Sequence, residues 1–586
     1  MLFRSSVENP EAAVGQKSRR QTGHGKSRPG VWLASAHLAL ALALCSQAAI
    51  GQKLPSVIVD TPDGEIAGQS SGQINVFRGI PFALPPIGGL RWKPPVPQPA
   101  RPGVSSAVRF GPSCMQPAQG SPQTLTDGFP QRFSEDCLTL NIWAPKGHNL
   151  PVMVWVHGGA FFLGSGSEPL FDGTNFARDG VILVTINYRL GPFGFFAHKS
   201  LMKEAGPYAP LANYGIMDQR EALRWVQRNI AAFGGDPNNV TLFGQSAGAV
   251  SVLALLTLPD EHLFARAIHQ SGGPWVNNTP LSISETQGRQ LAEFAGAAPD
   301  ASAEQLRSLP AEALLSAAGK QRRVLPYPFR NGEITTQPII DGRFIRDRLD
   351  TLVETGHLQR VPLIVGFNSG EDSLIPGEND PSDFLSYFKA ASPQALSNLY
   401  RADRADAYGA HVSSPDVGRS LFQDAILGAP ARWLARQASK AAPSYLYFYD
   451  AVPQGSSKLI GAPHGDELPM LFGNLLRPDR GALTSSFSYR FRQCWVSFAK
   501  SGSPNCGFDT AWVRYSNEDD KLLNFTSSVS LISKFRKDRF DWLDSIHEKY
   551  RSEKSPSPLR RSCIARLLTM PPSTTKRMAN RKLSPS

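Results

Sequence analysis

The stretch "NVTLFGQSAGAVSVLALLTL" (residues 239–258) decides the fold that we expect for this chain. An apolar strand-like run comes first, a G-x-S-x-G pattern centred on Ser246 follows, and an apolar run compatible with a helix ends the stretch. A strand, a tight turn and a helix in this order are typical of a nucleophile elbow, which presents a serine hydroxyl at the edge of a sheet. Such a turn needs small neighbours for clearance, and Gly244, Ala247 and Gly248 supply them. The stretch therefore predicts that Ser246 is a nucleophile.

A second match to the pattern, "GQSSG" at residues 68–72, shows that the pattern alone decides nothing. It is centred on Ser70 and lies between two segments typical of a hairpin, with no helical segment after it. An elbow requires that helix. The context therefore predicts that Ser70 is an ordinary turn serine.

Outward from the elbow, short apolar runs alternate with helical patterns, which predicts an α/β fold with a large, mostly parallel central sheet flanked by helices. The segment 213–235 has helical apolar spacing and ends at two glycines ahead of Pro237, a typical helix stop. Further upstream, "GEIAG" and "INVFRGIPFALPP" predict antiparallel hairpins before that sheet. Strands buried on both faces are predicted from six runs, at 151–159, 180–189, 239–244, 265–273, 361–368 and 444–450.

A serine nucleophile needs a general base, and the base needs an orienting acid. In this kind of fold the chain order is serine, acid, histidine. His411 follows no evident core strand, and His547 borders a tail that we expect to be disordered. His464, in "LIGAPHGDELPMLFG", lies in a loop after the predicted strand at 444–450. We therefore predict that His464 is the base.

The acid should follow an earlier strand of the same sheet. The segment "VPLIVGFNSGEDSL" (361–374) offers Glu371 and Asp372 directly after an apolar run. The chosen carboxylate has to be buried against the imidazole ring, where it fixes the tautomer and stabilises the imidazolium. The residues alone do not separate these two neighbours, so both stay candidates. The carboxylate that is not used is expected to be solvated or to cap a helix.

A glycine-rich loop follows the predicted strand at 151–159. In "VWVHGGAFFLGSGS", His157 is followed by Gly158, Gly159 and Ala160, as in loops that donate backbone N–H groups to an oxyanion. Glycines let the backbone approach a substrate closely, and each such donor typically contributes about 3–4 kcal/mol. Alone, the loop is equally consistent with an ordinary turn. Next to a Ser246 elbow it predicts an oxyanion hole.

The composition is that of a globular protein, with 41% hydrophobic and 19% charged residues in 586. The net charge of +12 is confined to the two ends. Residues 1–30 hold six basic and two acidic residues, and residues 545–586 hold ten and two. The remainder is balanced, which argues against a nucleic-acid-binding body.

The ends of the chain differ from the body. The apolar run "VWLASAHLALALALC" (31–45) is shorter than a typical membrane span and is followed by small residues, which predicts an export signal within residues 1–51. The protein is then secreted or periplasmic, without stable membrane insertion once the signal is removed. A translation start downstream of Met1 and an uncleaved N-terminal anchor remain alternatives. Cleavage is expected after Ala48, Ala49 or Gly51.

Between these ends we find no linker and no repeat, so residues 52–545 are predicted to form one domain. The basic, Ser/Pro-rich segment 546–586 is predicted to be disordered.

Four of the six cysteines lie in the predicted domain. In an exported protein, Cys114 and Cys137 predict a disulfide that closes a local loop. Cys494 and Cys506 are equally consistent with a second disulfide and with two free buried thiols. No Cys/His spacing is typical of a metal site.

Together these motifs resemble the type-B carboxylesterases, the family of carboxylesterases, cholinesterases and bacterial para-nitrobenzyl esterases. The resemblance covers roughly residues 54–545. It implies the α/β-hydrolase fold. Two positions depart from the family pattern: Gln245 replaces a common glutamate, and Asp372 replaces a common glycine. The resemblance rests on "FRGIPFALPPIGGLRWKPP", "SEDCLTLNIWAP", "VMVWVHGGAFFLGSGS", "INYRLGPFGFF", "NYGIMDQREALRWVQRNIAAFGGDPNNVTLFGQSAGA", "IHQSGG", "GFNSGED" and "GAPHGDELPMLFG".

The resemblance also implies roles for individual residues. Ser246 would be the acyl-forming nucleophile, His464 the base and Glu371 the acid. Further implied are the disulfide between Cys114 and Cys137 and an ion pair between Arg78 and Glu135. The implied oxyanion donors are the backbone N–H groups of Gly159, Ala160 and Ala247.

The implied activity is hydrolysis of a small-molecule carboxylic ester through an acyl-enzyme, with neither a cofactor nor a metal. Two other functions stay open: a non-catalytic adhesion or binding member of the same fold family, and a serine peptidase. Phe161, Phe162 and Phe367 hint at an apolar substrate pocket, although buried aromatic residues more often belong to a core.

Overall fold

The computed structural model describes residues 56–117, 132–259, 261–275, 279–321, 337–374, 398–400, 414–451, 461–474 and 485–554. All of them belong to one compact unit that starts at Pro55. The predicted export signal, the segment with His411 and the chain after residue 554 lie outside the described residues. Among the described helices, none combines the length and the apolar character needed to cross a bilayer.

In the described part of the chain, a 13-stranded sheet organises the fold. Its order is β1-β2-β3-β7-β9-β8-β10-β11-β14-β15-β16-β17, and β4 pairs with β2. The strands and the two small sheets are formed by β1 (Ser56–Thr61), β2 (Gly64–Ser71), β3 (Ile74–Pro81), β4 (Ser105–Ser106), β5 (Ser113–Cys114), β6 (Phe133–Ser134), β7 (Thr139–Pro145), β8 (Leu150–Val156), β9 (Ile182–Ile186), β10 (Gly235–Gln245), β11 (Arg266–Gln270), β12 (Thr279–Pro280), β13 (Ile339–Ile340), β14 (Leu363–Asn368), β15 (Ser444–Tyr449), β16 (Lys521–Phe525) and β17 (Val529–Ser533).

Helices lie between most of the central strands. They are α1 (Thr174–Arg178), α2 (Gly191–Gly194), α3 (Lys199–Ala205), α4 (Tyr214–Asn229), α5 (Ala247–Leu256), α6 (Leu281–Phe294), α7 (Ala303–Arg307), α8 (Ala311–Gln321), α9 (Leu349–Leu352), α10 (Ser414–Gln423), α11 (Ala429–Ser439), α12 (Glu467–Phe472), α13 (Ser485–Ser501) and α14 (Lys537–Lys554). Short 3₁₀ turns cover Gly88–Leu90, Pro169–Phe171, Ile230–Phe233 and Glu371–Leu374, and π turns cover Val353–His357 and Asp424–Gly428.

The strand directions confirm the predicted α/β class. All neighbours from β9 to β16 along the sheet are parallel. The pairs from β1 to β9 and the pair β16/β17 are antiparallel. The N-terminal hairpins are therefore antiparallel, as predicted, but they extend the same sheet rather than preceding it.

The central strands are buried on both faces, which explains why they are continuous apolar runs. On β8, Val152 and Val154 belong to a core with α4 and α5, whereas Met153 and Trp155 belong to a second core with α12 and α13. Fully burying a side chain of this size contributes about 1.5–3 kcal/mol. The sheet is thus stabilised from both sides, and its strand ends are positioned firmly.

The predicted helix stop after α4 is confirmed. The 3₁₀ turn Ile230–Phe233 continues the helix, and Gly234 ends it with a φ of 89°. This left-handed conformation favours glycine. Strand β10 then starts at Gly235 and leads to the elbow.

Both cysteine pairs form disulfides, Cys114 with Cys137 and Cys494 with Cys506. The second pair settles the alternative that the sequence left open.

The ion pair implied between Arg78 and Glu135 is wrong. Glu135 accepts a hydrogen bond from Nε of Arg91 at 2.7 Å. Arg78 lies on β3 and instead donates to Oε1 of Gln69 on the neighbouring strand at 3.0 Å. Arg91 follows the turn Gly88–Leu90, which directs its guanidinium to Glu135.

The predicted start of a disordered tail at residue 546 is also wrong, because α14 continues to Lys554. His547 is buried, with Nε2 3.2 Å from Oδ2 of Asp350. Arg551 forms an ion pair with Glu354. The polar composition of this segment misled the prediction, since its charged side chains meet acidic partners on another element.

Candidate active site

The predicted site residues meet at one edge of the sheet. The loops after β8, β10, β14 and β15 carry His157, Ser246, Glu371 and His464. The carboxyl ends of parallel strands face the same edge, where sites of α/β folds form. An isolated bridge between Gly370 and Pro463 joins the loop of Glu371 to that of His464.

Ser246 occupies the elbow that the opening stretch predicts. It follows β10 directly and precedes α5, with a φ of 58° and a ψ of −125°. A positive φ is unusual for a residue other than glycine, and it persists only where the surroundings hold it. Its N–H donates to the carbonyl of Gln270 at 2.8 Å, and its own carbonyl accepts from Ala249 and Val250 at 2.9 and 3.0 Å. The turn is thus fixed to β11 and α5.

The glycines around the elbow permit close approach of backbone segments. A Cβ on Gly248 would lie 2.1 Å from the carbonyl oxygen of Val156, and one on Gly244 would lie 2.6 Å from the backbone of Gly248. A Cβ on Gly158 would lie 3.1 Å from Cβ of Ser246. The glycine-rich loop therefore packs directly against the candidate nucleophile.

Ser70 has a different setting. It lies on β2, paired with Asn75 of β3 in a hairpin. The predicted hairpin context is confirmed, and strand β3 rather than a helix follows, but the prediction that Ser70 is a turn residue is wrong because Ser70 belongs to the strand.

His464 and Glu371 are in direct contact. Nδ1 of His464 lies 2.5 Å from Oε2 of the fully buried Glu371. Oε1 of the same carboxylate accepts from Oγ of Ser271 at 2.6 Å and from the N–H of Asn368 at 2.8 Å. Because the carboxylate accepts the Nδ1 proton, the lone pair of the ring is at Nε2.

The environment also sets the basicity of His464. Burial alone would lower the pKa of its imidazole, but the charge and hydrogen bond of Glu371, aided by the charge of Glu467, raise this pKa above its ordinary value.

Asp372, the second candidate acid, points elsewhere. It is buried, and its Oδ2 lies 3.4 Å from NH1 of Arg419. Of the two expectations for the unused carboxylate, the one that it is solvated is therefore wrong. Glu371 and Asp372 are successive residues of the 3₁₀ turn Glu371–Leu374, so their side chains leave it in different directions.

Gln245 contacts the other ring nitrogen of His464. Its Nε2 lies 3.0 Å from Nε2 of the imidazole. Since the Nε2 atom of the ring carries the lone pair, the amide donates and the ring accepts. Our sequence reasoning noted Gln245 only as a departure from a family pattern and did not anticipate this contact.

A second buried carboxyl group lies behind the pair. Glu467 accepts from Nδ2 of Asn368 at 2.6 Å and from Nε2 of Gln270 at 3.2 Å. Burial raises its pKa to about 7, despite the hydrogen bond from Asn368. Glu467, Ser271 and Asn368 were missed as site residues, although all three occur in motifs quoted above. Ser271 directly follows β11 and Asn368 ends β14, so their positions at the carboxyl ends of strands are the signal that could have identified them, whereas Glu467 starts α12 and carries no such signal.

The loop after β8 has an unusual backbone. Gly159, Ala160 and Phe161 have φ values of 101°, 54° and 60°. The N–H groups of Phe162 and Leu163 both donate to the carbonyl of Gly159 at 2.9 Å. This tight turn directly follows Gly158, which packs against the elbow.

The third predicted donor, Ala247, is the first residue of α5. The N–H groups at a helix start have no partner within the helix and carry its positive dipole end.

His157 supports the loop from behind. Burial lowers the pKa of its imidazole to about 4, although the backbone contact to Gly158 opposes that shift. The neutral ring places Nδ1 2.8 Å from the carbonyl of Gly158. The hydroxyl of Tyr188 donates to the carbonyl of His157 at 2.9 Å. Within the described ranges, no group of three or more His, Cys, Asp or Glu is arranged to hold a metal ion.

A mostly parallel sheet with a serine elbow at its carboxyl edge defines the α/β-hydrolase fold. The sequence model of the Carboxylesterase family matches residues 55–543. The chain belongs to this family, and it is a carboxylic ester hydrolase.

Similar proteins agree with this assignment. Fumonisin B1 esterase of Sphingopyxis macrogoltabida is 34% identical over 490 residues, covering 81% of this chain and 87% of the relative. Para-nitrobenzyl esterase of Bacillus subtilis (strain 168) is 35% identical over 491 residues, covering 81% and 96%. A solved structure of a PNB esterase matches with a TM-score of 0.70 at 33% identity, covering 83% of this chain and 99% of that one.

Proposed function

We propose that the protein hydrolyses small carboxylic esters in two steps through an acyl-enzyme on Ser246. The observation that carries the proposal is the hydrogen bond between His464 Nδ1 and the buried Glu371, in loops adjoining the Ser246 elbow. It leaves Nε2 of the ring as the proton acceptor, which is the tautomer that a general base requires.

In the first step, Oγ of Ser246 attacks the ester carbonyl while Nε2 of His464 takes its proton. The imidazolium is stabilised by the charge of Glu371 and then protonates the departing alcohol. In the second step, water attacks the acyl-enzyme with the same base, and the acid product leaves. The substrate carbonyl oxygen becomes negative in both steps, and the N–H groups of Gly159, Ala160 and Ala247 are proposed to bind it.

Gln245 has a defined place in this cycle. Its amide donates to the lone pair of His464 that must receive the Ser246 proton. The amide therefore holds the ring in place between turnovers and must give way, or share the lone pair, when the hydroxyl approaches. The neutral amide adds no charge beside the ring, in contrast to the glutamate that is common in the family.

The names of two relatives give a starting point for the substrate. One similar protein is named for fumonisin B1 and another for para-nitrobenzyl esters. We propose that this chain takes small-molecule esters, and a panel of nitrophenyl esters of increasing acyl length would define its preference.

The nucleophile is tested by Ser246→Ala, with Ser70→Ala as the matched control from the second G-x-S-x-G pattern. We expect Ser246→Ala to abolish both ester turnover and covalent labelling by a fluorophosphonate, and Ser70→Ala to leave both intact. Preserved turnover with labelling at another serine would overturn the assignment. A wild type that is labelled but hydrolyses only peptide bonds would favour the peptidase alternative, and one that does neither would favour a binding protein.

We also propose that residues 1–51 act as an export signal, which places the protein in the periplasm or outside the cell. The two disulfides agree with an oxidising compartment. N-terminal sequencing of the native protein should find a mature start near Ile50 or Gln52. Retention of Met1 would exclude cleavage.

A further inference from the structure

The backbone of Gly164 is held on both sides by the side chain of Gln116. Nε2 of Gln116 donates to the carbonyl of Gly164 at 2.9 Å, and Oε1 accepts from its N–H at 3.0 Å. The same Nε2 also donates to the carbonyl of Cys114 at 3.0 Å. Gln116 is buried, so these contacts are made away from water, where unpaired polar groups are costly.

Gly164 in turn contacts the start of the glycine-rich loop. Its φ is 107°, and a Cβ at this position would lie 2.5 Å from Nδ1 of His157 and 2.9 Å from the carbonyl oxygen of Gly158. A displacement of Gly164 would therefore also shift the peptide that precedes Gly159. Gly164 therefore links Gln116 to the loop segment that carries the proposed oxyanion donors.

The turn between these points needs such support. Ala160 and Phe161 are successive residues with positive φ and no glycine among them. Backbone in this region persists only where its surroundings over-determine it. The hydrogen bonds from Phe162 and Leu163 to Gly159 close the turn locally. The hydrogen bonds between Gln116 and Gly164 fix the far end of the turn.

Gln116 is itself anchored to the sheet. It stands two residues after Cys114, whose disulfide partner Cys137 precedes β7. The N–H of Thr139, the first residue of β7, donates to the carbonyl of Cys137 at 2.7 Å. The side chain of Gln116 thus extends from a cross-linked segment rather than from a free loop.

We infer that Gln116 is a positioning residue for the oxyanion hole: it holds Gly164, and through Gly164 the N–H groups of Gly159 and Ala160, in the geometry that the tetrahedral intermediate requires. This inference rests on the proposed function. It predicts that loss of the amide weakens binding of the transition state more than binding of the ester.

The test compares Gln116→Met, which keeps the length of the side chain but removes its three hydrogen bonds, with Gln359→Met. Gln359 also donates to backbone carbonyls, those of Leu255 and Leu258, but it lies before β14, at the opposite edge of the sheet. The readouts are kcat and KM on one nitrophenyl ester and the inhibition constant of a trifluoromethyl ketone, which forms a tetrahedral adduct with the serine.

For Gln116→Met we expect kcat to fall about tenfold, KM to stay within about twofold, and the trifluoromethyl ketone to bind about tenfold more weakly. Gln359→Met should leave all three values within about twofold of wild type. A Gln116→Met enzyme with unchanged kcat, or with a loss confined to KM, would overturn the inference.

Should Gln116→Met fail to fold, Gln116→Glu serves in its place, because it keeps an acceptor for the N–H of Gly164 and loses the donor to its carbonyl. If neither variant accumulates as folded protein by circular dichroism, Gln116 is a folding residue and the inference is overturned. Failure of the proposed function is distinguishable, since it would appear as a wild type without ester turnover.

Discussion

The two sides of the Ser246 elbow are held in place by different kinds of interaction. On one side, His464 is held by the buried carboxylate of Glu371, with Glu467 behind it, so charge and proton positions define the geometry. On the other side, residues 158–164 are held by neutral backbone and amide hydrogen bonds and by close packing of glycines. The first side should therefore respond to pH and to changes of charge, and the second to changes of shape.

The two sides of the elbow should differ in how their variants change the pH dependence of turnover. A variant on the His464 side should move the pH at which turnover is lost, because it changes the pKa of the base. A variant on the loop side should lower turnover at every pH and leave that midpoint in place.

The largest effect is expected from Glu371→Gln. The amide keeps the shape but removes the charge that favours the productive tautomer, a change that costs about 10⁴ in the analogous position of serine proteases. We expect turnover to fall by about 10³–10⁴ with folding preserved by circular dichroism. Any residual activity should have its acid midpoint at lower pH, since the charge of Glu371 is what raises the pKa of His464.

Asp372→Asn is the matched control, as it changes the neighbouring carboxylate, which pairs with Arg419. It should alter turnover by less than about tenfold, or roughly 1.4 kcal/mol of barrier. If Asp372→Asn lost turnover and Glu371→Gln kept it, the assignment of the acid would be reversed.

A smaller loss is expected from Gly159→Ala on the loop side. The added Cβ would lie 2.2 Å from the carbonyl oxygen of Leu163, at a φ of 101°. The turn must shift, and loss of one oxyanion donor typically lowers kcat by about 10²–10³. The acid midpoint of the pH profile should stay at its wild-type position.

Gly72→Ala, also at a positive φ but with open space around its Cβ, should retain full turnover. A displaced midpoint in Gly159→Ala would contradict the contrast between the two sides.

The smallest change in rate, but a clear change in pH dependence, is expected from Gln245→Glu. The wild-type enzyme should lose turnover as the pH falls through a pKa above 6.5, because protonated His464 cannot accept the serine proton. A carboxylate in place of the Gln245 amide would favour the imidazolium and raise that pKa further. The acid midpoint should therefore move to higher pH, by about one unit, with less than about tenfold change on the plateau. An unmoved midpoint would show that residue 245 does not contact the ring during turnover.

Much of the fold could be predicted from the sequence because local and global signals agree. The central strands are apolar throughout because both of their faces are buried. Gly234 ends the helical segment that begins with α4, because its left-handed backbone conformation favours glycine. The elbow could be placed because strand, small residues and helix follow one another without interruption around Ser246.

What the sequence could not supply were contacts set by side-chain direction. Glu371 and Asp372 are adjacent and chemically alike, and only the 3₁₀ turn separates their directions. Arg91 rather than Arg78 reaches Glu135 for the same kind of reason. The polar composition after residue 546 indicated disorder, whereas His547 and Arg551 pair with Asp350 and Glu354. Such pairings depend on elements about two hundred residues away, which no local pattern records.

The C-terminal helix α14 has a consequence for how the protein is made. It supplies Phe540 and Leu543 to the same core that receives Phe77 from β3, near the start of the domain. Synthesis proceeds from the N-terminus, so this core cannot be completed until α14 has emerged. Until then this core lacks the side chains of Phe540 and Leu543, and a truncation that begins before Phe540 removes both of them.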